Sequence, residues 1–179
     1  YNDTGDPVSA EKEFRKAAEL GAGPDKTVSG LATALLAQGQ FQKVLDETAA
    51  TSAGKADLLA LQGDAHLGLG KGDPAKEAYE QALQVNPKSS AALIGLARHA
   101  VMQQDLEGAN RLAEQAATES PNDPAVWMLK GGLLRAQGKA DEALAAYDQA
   151  LKVKPGHRGA NLEKAYIEIA TGKFEAAQA

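Results

Sequence analysis

The most constraining feature of this 179-residue chain is a set of three prolines at one fixed spacing. Pro87, Pro121 and Pro155 each follow the previous proline by 34 residues. Small residues keep the same step, in three further series: Gly63, Ala97, Gly131 and Ala165; Ala75, Ala109 and Ala143; Ala82, Ala116 and Ala150. A fixed period of this length indicates an array of similar units, each of which packs on its neighbours.

Within each unit the spacing of small and apolar residues predicts two antiparallel helices, which we call A and B. We number positions in each unit from its first residue, which is Asp25, Ala56, Ser90, Pro124 or Arg158. Small residues at positions 8 and 20 let helices A and B cross closely, and position 27 packs on the next unit. Proline at position 32 cannot continue a helix, so it ends helix B. A glycine near position 15 makes the turn between the helices in most units: Gly39, Gly70, Gly138 and Gly172.

These residues resemble the tetratricopeptide (TPR) family over essentially the whole chain. The resemblance implies an all-α fold, a right-handed superhelix of antiparallel helix hairpins. It also implies a non-catalytic protein-interaction scaffold. We expect a single array over residues 1–179, as a piece of a longer protein. Its units are a partial repeat with a lone helix B at 1–24, repeats at 25–55, 56–89, 90–123 and 124–157, and a partial repeat at 158–179.

Several local expectations follow from this register. Asp6, Asp73 and Asp123 each precede a proline, which is typical of an N-cap followed by the first helical residue. Helix B of residues 25–55 is expected to be weak, because this unit is short and ends in small and polar residues. Position 7, which is usually apolar, is polar in three units and predicts locally looser packing there: Gln62, Lys130 and Lys164.

Composition excludes some functions and leaves the compartment open. The chain has 24 acidic and 19 basic residues, so no basic surface indicates a nucleic-acid partner. It has no cysteine, which excludes disulfides and thiol chemistry. The chain opens at Tyr1 in the middle of a unit, so we expect any targeting segment to lie upstream. The open ends of the array also predict a possible end-to-end self-association of this piece.

A narrower resemblance rests on three stretches near the start of the chain. They are Gly5 to Ala17, the segment LATALLAQGQFQ at Leu31 to Gln42 with the following KVLDE, and LQGDAHLGLG at Leu61 to Gly70. These look like the TPR-repeat lipoproteins of bacterial PEP-CTERM/exosortase exopolysaccharide systems. The resemblance implies a lipid-anchored protein of the bacterial envelope, with envelope secretion or sorting components as partners. The alternative is a cytoplasmic location.

No residue pattern indicates catalysis, a metal or a cofactor. His66, His99 and His157 lie in different units at unrelated helix positions, so none forms a metal-binding pair. The glycine-rich stretch from Gly68 to Gly72 follows a helix, not a strand, so it indicates a turn rather than a phosphate-binding loop. We therefore expect no enzyme and no cofactor.

The surface expected to carry function is the concave face that TPR families form from helix A. Positions 2, 5, 9, 12 and 13 of that helix imply a mostly apolar groove with isolated charges. Its predicted partner-binding residues are Thr33, Leu36, Asp64, Leu67, Ile94, Arg98, Val101, Met102, Met128, Arg135, Tyr166 and Ile169. Apolar anchors with a few orienting charges suit an extended peptide or an amphipathic helix.

One known TPR activity is not expected, because the carboxylate clamp for EEVD-type tails needs lysine and asparagine at positions 5 and 9. The corresponding pairs here are Ser29/Thr33, Ala60/Asp64, Ile94/Arg98, Met128/Gly132 and Leu162/Tyr166. Two alternatives to a peptide-binding scaffold stay open at this point. The chain would then be the regulatory arm of a larger enzyme or sensor, or a generic cytoplasmic adaptor.

Overall fold

The computed structural model describes residues 6–172, without the side chains of residues 25 and 26. Over that range the structure has ten α-helices and no strand. The helices are α1 (Pro7–Glu19), α2 (Pro24–Ala37), α3 (Phe41–Thr48), α4 (Ala56–Gly68), α5 (Gly72–Val85), α6 (Ser90–Met102), α7 (Leu106–Glu119), α8 (Pro124–Ala136), α9 (Ala140–Val153) and α10 (Arg158–Ala170). The all-α prediction is confirmed. No helix among the described residues is long and apolar enough to cross a bilayer.

The chain divides into two compact units, one ending at His99 and the other beginning at Ala100. In the first unit α1 packs on α2, α2 packs on α3 and α4, and α4 packs on both α3 and α5. In the second unit α7 packs on α8, α8 on α9, and α9 on α10. Each unit is therefore a stack of helix hairpins whose neighbours in sequence are neighbours in space.

The helix starts follow the register read from the prolines. Helices α4, α6, α8 and α10 begin at the predicted first residues of their units, and α2 begins one residue early, at Pro24. The small side chains at positions 8, 20 and 27 are buried where the helices cross. Those with no exposed surface are Ala32, Val44, Ala75, Ala82, Ala97, Ala109, Ala116, Ala143 and Ala150. Small residues at these positions let the helix backbones approach closely.

Position 24 carries an aromatic ring in three units, and each ring lies in a gap left by glycine. A Cβ added to Gly63 would lie 2.4 Å from Cε1 of Tyr79, and one added to Gly95 would lie 2.2 Å from the same atom. Gly131 stands in the same relation to Tyr147, at 2.4 Å. Because contacts below 3 Å are sterically forbidden, these helices require glycine where the ring passes.

The predicted turn glycines adopt the left-handed conformation that other residues avoid. Gly39, Gly70 and Gly138 have φ values of +71°, +71° and +76°. Gln104 occupies the same position in the repeat at 90–123, with φ of +62°. The turn therefore keeps its conformation even without glycine, at a local cost of about 1 kcal/mol.

Two of the three predicted N-caps are confirmed and one is wrong. Asp6 accepts a hydrogen bond from the backbone of Ser9 at 3.1 Å, and Asp123 accepts one from Ala125 at 2.9 Å. Asp73 does not cap α5, because that helix already begins at Gly72 and includes Asp73 in its first turn. The repeat register sets this start, and a proline in the first turn loses no hydrogen bond within the helix.

At position 7, where the sequence predicts looser packing, each polar side chain has a partner on the preceding helix. Lys130 forms an ion pair with Glu114 of the preceding helix B, at 2.8 Å, and Lys164 pairs with Asp148 in the same way. The Gln62 amide donates to the Thr48 hydroxyl at 2.9 Å. Each polar residue thus links its helix A to the previous helix B.

The irregular region expected after α3 is present, since α3 has eight residues where the other B helices of full repeats have 14. Residues 49–55 that follow it form turns. The predicted helix B after Gly172 and the start of the partial repeat at 1–24 lie outside the described residues. The single array over 1–179 stays a prediction.

The adjacent glycines of α8 give a matched test of the ring-in-gap packing. We expect Gly131→Ala to destabilise the protein by about 1–3 kcal/mol, because the new methyl group overlaps the Tyr147 ring. Gly132→Ala meets nothing within 4 Å and should stabilise by roughly 0.5–1 kcal/mol through helix propensity. Urea unfolding of both variants measures the difference, and equal stabilities would contradict the packing described here.

Candidate functional site

The predicted face of the first unit centres on Asp64 in α4. The Tyr79 hydroxyl donates a hydrogen bond to Oδ1 of Asp64 at 2.7 Å. The guanidinium of Arg98, on α6, approaches the same oxygen at 3.9 Å and is itself largely exposed. This part of the face is therefore polar, and its charged groups come from two neighbouring A helices.

Burial and two polar neighbours shift the pKa of Asp64 in opposite directions. Desolvation is the largest influence on this carboxyl group and raises its pKa, while the Tyr79 hydrogen bond and the Arg98 charge oppose the rise. Desolvation also raises the pKa of Tyr79 far above its ordinary value, and the nearby Asp64 charge adds to the effect. The phenol therefore stays protonated and acts as a donor to the carboxylate.

The remaining predicted residues of the first unit serve packing in part. Thr33 donates its hydroxyl to the backbone carbonyl of Ser29 at 2.8 Å, within its own helix. Leu36 and Leu67 are partly buried against the cores around them. Ile94 is only 5% exposed, so its side chain packs in the interior of the first unit.

The predicted face of the second unit is more apolar and more exposed. Tyr166 and Ile169 of α10 are 62% and 58% exposed. Leu162, one turn before Tyr166, is 72% exposed, which makes a stripe at i, i+4 and i+7. Met128 of α8 is partly buried against the adjacent core. Val101 and Met102 at the end of α6 are also exposed.

Arg135 is the central charge of this second face. Its Nε atom donates to Oε2 of Glu163 at 3.1 Å, joining α8 to α10. Its guanidinium lies over the Tyr166 ring, 5.7 Å from the ring centre. Sequence reasoning missed Glu163 because position 6 is not among the usual groove positions, although a carboxylate next to an exposed arginine position could have indicated it.

The other side chains singled out from the sequence have structural roles. Trp127 is partly buried against the core, and its indole N–H donates to the carbonyl of Pro121 at 2.7 Å. His66 has a pKa lowered chiefly by burial. Within residues 6–172, no group of three or more histidine, cysteine or acidic side chains could hold a metal ion.

A family model described as "Tetratricopeptide repeat" matches residues 66–133 and 134–179, which together make up more than half of the chain. The chain belongs to the tetratricopeptide-repeat family. Members of this family are generally non-catalytic protein-interaction scaffolds. Among curated proteins, no sequence matches this chain.

Solved structures show the same fold at low sequence identity. TTC0263, a thermophilic TPR protein in Thermus thermophilus, is 19% identical over 94% of this chain and 93% of its own, with a TM-score of 0.83. The first TPR of Spaghetti (RPAP3), bound to HSP90 peptide SRMEEVD, is 21% identical over 66% of this chain and 96% of its own, with a TM-score of 0.60. YrrB, a TPR protein with an unusual peptide-binding site, is 20% identical over 94% of this chain and 89% of its own, with a TM-score of 0.54.

The pKa of Asp64 predicts a pH-dependent effect of Asp64→Asn. A carboxyl group whose pKa is raised by folding stabilises the protein below its unfolded pKa, near 4, and loses that contribution as pH rises through the folded value. Asparagine stays neutral and keeps an acceptor for Tyr79. We therefore expect the variant to gain stability relative to the parent as pH rises from about 3.5 to about 8. Urea unfolding across this range tests it, and a relative loss of stability at high pH would contradict it.

Proposed function

We propose that this TPR chain is a protein-interaction scaffold that binds a peptide or an amphipathic helix on the faces formed by its A helices. The observation that carries the proposal is the stripe of Leu162, Tyr166 and Ile169 on α10. Three large apolar side chains exposed in line on one helix are a costly arrangement in water, so they call for a covering partner, which is either a bound peptide or helix or the next unit of a continuing array.

The second face favours a ligand that contributes an apolar anchor and carries few charges. Arg135 already has the Glu163 carboxylate as its partner, so the face offers a neutral ion pair beside its apolar stripe. Side chains spaced at i, i+4 and i+7 match the spacing of an amphipathic partner helix, and an extended peptide also fits. The guanidinium over the Tyr166 ring stiffens this part of the face.

Two structural relatives support a peptide as the ligand class. The Spaghetti TPR was solved with an HSP90 peptide, and YrrB is described as having a peptide-binding site. The ligand of this chain differs from the HSP90 tail in our proposal, because the clamp positions hold other residues. Ala60 and Ile94 occupy two of those positions and are buried.

A peptide selection tests the binding proposal. We expect a random peptide library displayed on phage to yield peptides that bind the parent protein at micromolar affinity. Tyr166→Glu and Ile169→Glu should each weaken these peptides at least tenfold in calorimetry. Their melting temperatures should change little, since both positions are exposed.

Leu20→Glu is the matched control, because Leu20 is 79% exposed but lies at the end of α1, a helix B, and is not part of the α10 stripe. It should leave peptide binding unchanged. Binding that survives both face variants, or that is lost equally in the Leu20 variant, would remove the α10 face from the proposal.

We further propose that the native protein works in a bacterial envelope exopolysaccharide and protein-sorting system, as a lipid-anchored scaffold for envelope components. The stretches at 5–17, 31–47 and 61–70 that resemble PEP-CTERM-associated TPR lipoproteins support this assignment. This second proposal concerns the location of the whole native protein and is separate from the peptide-binding proposal.

Labelling cells with a tagged fatty acid tests the location. We expect the full-length native protein to carry the label and to fractionate with the envelope. An unlabelled protein in the cytosolic fraction would contradict the envelope assignment and favour a cytoplasmic TPR adaptor, while the peptide-binding proposal would still stand or fall on the selection experiment.

A further inference from the structure

The Tyr79 side chain carries a hydroxyl group that its packing does not need. The ring has no exposed surface and fills the gap between Gly63 and Gly95. Phenylalanine fills the same position in the first partial repeat, where the Phe14 ring packs against Gly30. A benzyl group therefore suffices for the core, and the phenol oxygen calls for a separate explanation.

That oxygen lies beneath the predicted ligand face, buried where three helices meet. Tyr79 lies on α5, and its hydroxyl donates to Asp64 on α4. The same carboxylate oxygen faces Arg98 on α6 at 3.9 Å, which is longer than a hydrogen bond. Tyr79 therefore holds the carboxylate of the Asp64–Arg98 pair, whose two charged groups are too far apart for a hydrogen bond. Both side chains are partly exposed to solvent.

The second unit repeats the arrangement with the charges exchanged. The Arg135–Glu163 pair joins α8 to α10, and here the arginine comes first in the chain. Tyr147 of α9 is 1% exposed, and its ring passes Gly131. Burial raises the pKa of Tyr147, Glu163 adds to this rise and Arg135 opposes it.

Tyrosine at position 24 accompanies the arginine–carboxylate pairs between A helices throughout the described part of the chain. Both arginine–carboxylate pairs that join neighbouring A helices within residues 6–172 lie beside a tyrosine at position 24. The other position-24 residues, Phe14, Thr48 and Ala113, carry no phenol. The direct hydrogen bond from Tyr79 to Asp64 indicates a role for the hydroxyl beneath the face.

We infer that Tyr79 is a positioning residue of the first ligand-binding face, whose hydroxyl group holds the Asp64–Arg98 pair ready for the amide groups of a bound peptide. The inference rests on the proposed function. A carboxylate beside a guanidinium presents an acceptor next to a set of donors, which is what the N–H and C=O of an amide require. Because the carboxylate is already held in place, less conformational entropy is lost when the peptide binds.

Tyr79→Phe tests this inference, with Tyr147→Phe as the matched control. The groups that face Asp64 are Tyr79 from α5 and Arg98 from α6, so removal of the phenol takes away one of two influences that favour its ionised form. Carboxyl carbon NMR should show the pKa of Asp64 higher in Tyr79→Phe than in the parent and unchanged in Tyr147→Phe. If the hydroxyl served packing alone, its removal would not raise the pKa of Asp64 in Tyr79→Phe while leaving it unchanged in Tyr147→Phe.

The same variants are then measured with a peptide selected on the parent protein whose binding weakens in Asp64→Asn. We expect Tyr79→Phe to bind that peptide about three- to tenfold more weakly while its melting temperature changes by a few degrees at most. An unchanged Asp64 titration, or an unchanged affinity, would overturn the inference. If no peptide binds the parent, the proposed function fails instead, and the titration still decides whether Tyr79 positions Asp64.

Discussion

The passage of an aromatic ring through a glycine-lined gap is the contact on which the rest of this structure depends. Tyr79 lies between Gly63 and Gly95, so one ring joins the two helices of its own hairpin to the next helix A. Truncation of a ring of this size in a core typically costs about 3–5 kcal/mol, because the cavity does not close. Neither partner can change alone, since a methyl group on the glycine overlaps the ring.

This contact also connects the core to the surface that binds. The Tyr79 ring starts on helix B, crosses the hairpin and reaches Asp64 on helix A, with no exposed surface of its own. Tyr79 therefore contributes to packing through its carbons and supports the face from beneath through its hydrogen bond to Asp64. Where position 24 holds Thr48, the link to the next helix is a hydrogen bond from Gln62 instead. Where it holds Ala113, alanine and leucine side chains fill the space.

Much of the local structure could be predicted because it follows from spacing. A step of 34 residues fixes where helix A begins, and small residues at the crossing points are required by the distance between helix backbones. The failures arise where a neighbour in space decides the outcome. Asp73 looked like a cap that would start α5 at Pro74, but the packing register starts the helix two residues earlier, at Gly72. Ile94 occupies a face position by number, yet the interior takes its side chain.

The candidate faces were predicted only in outline for the same reason. Sequence alone placed Asp64, Arg98 and Arg135 on them but could not indicate which charges pair, because the partners lie on separate helices far apart in the chain. The lysines at position 7 were expected to disturb packing, because their partners Glu114 and Asp148 lie on the preceding helix and could not be identified from the sequence. Nor could the sequence indicate that the Tyr79 hydroxyl contacts Asp64, because that contact depends on the glycine gap and on the adjacent helix A.

We propose that ligands bind to the A helices. Amide chemical-shift changes on titration with a selected peptide, measured by NMR across the assigned chain, locate the binding surface. We expect the largest changes on α10 around Tyr166 and Ile169 and on the A helices that carry Asp64, Arg98 and Arg135. Changes concentrated on the B helices α5, α7 and α9, with the A helices unaffected, would contradict it.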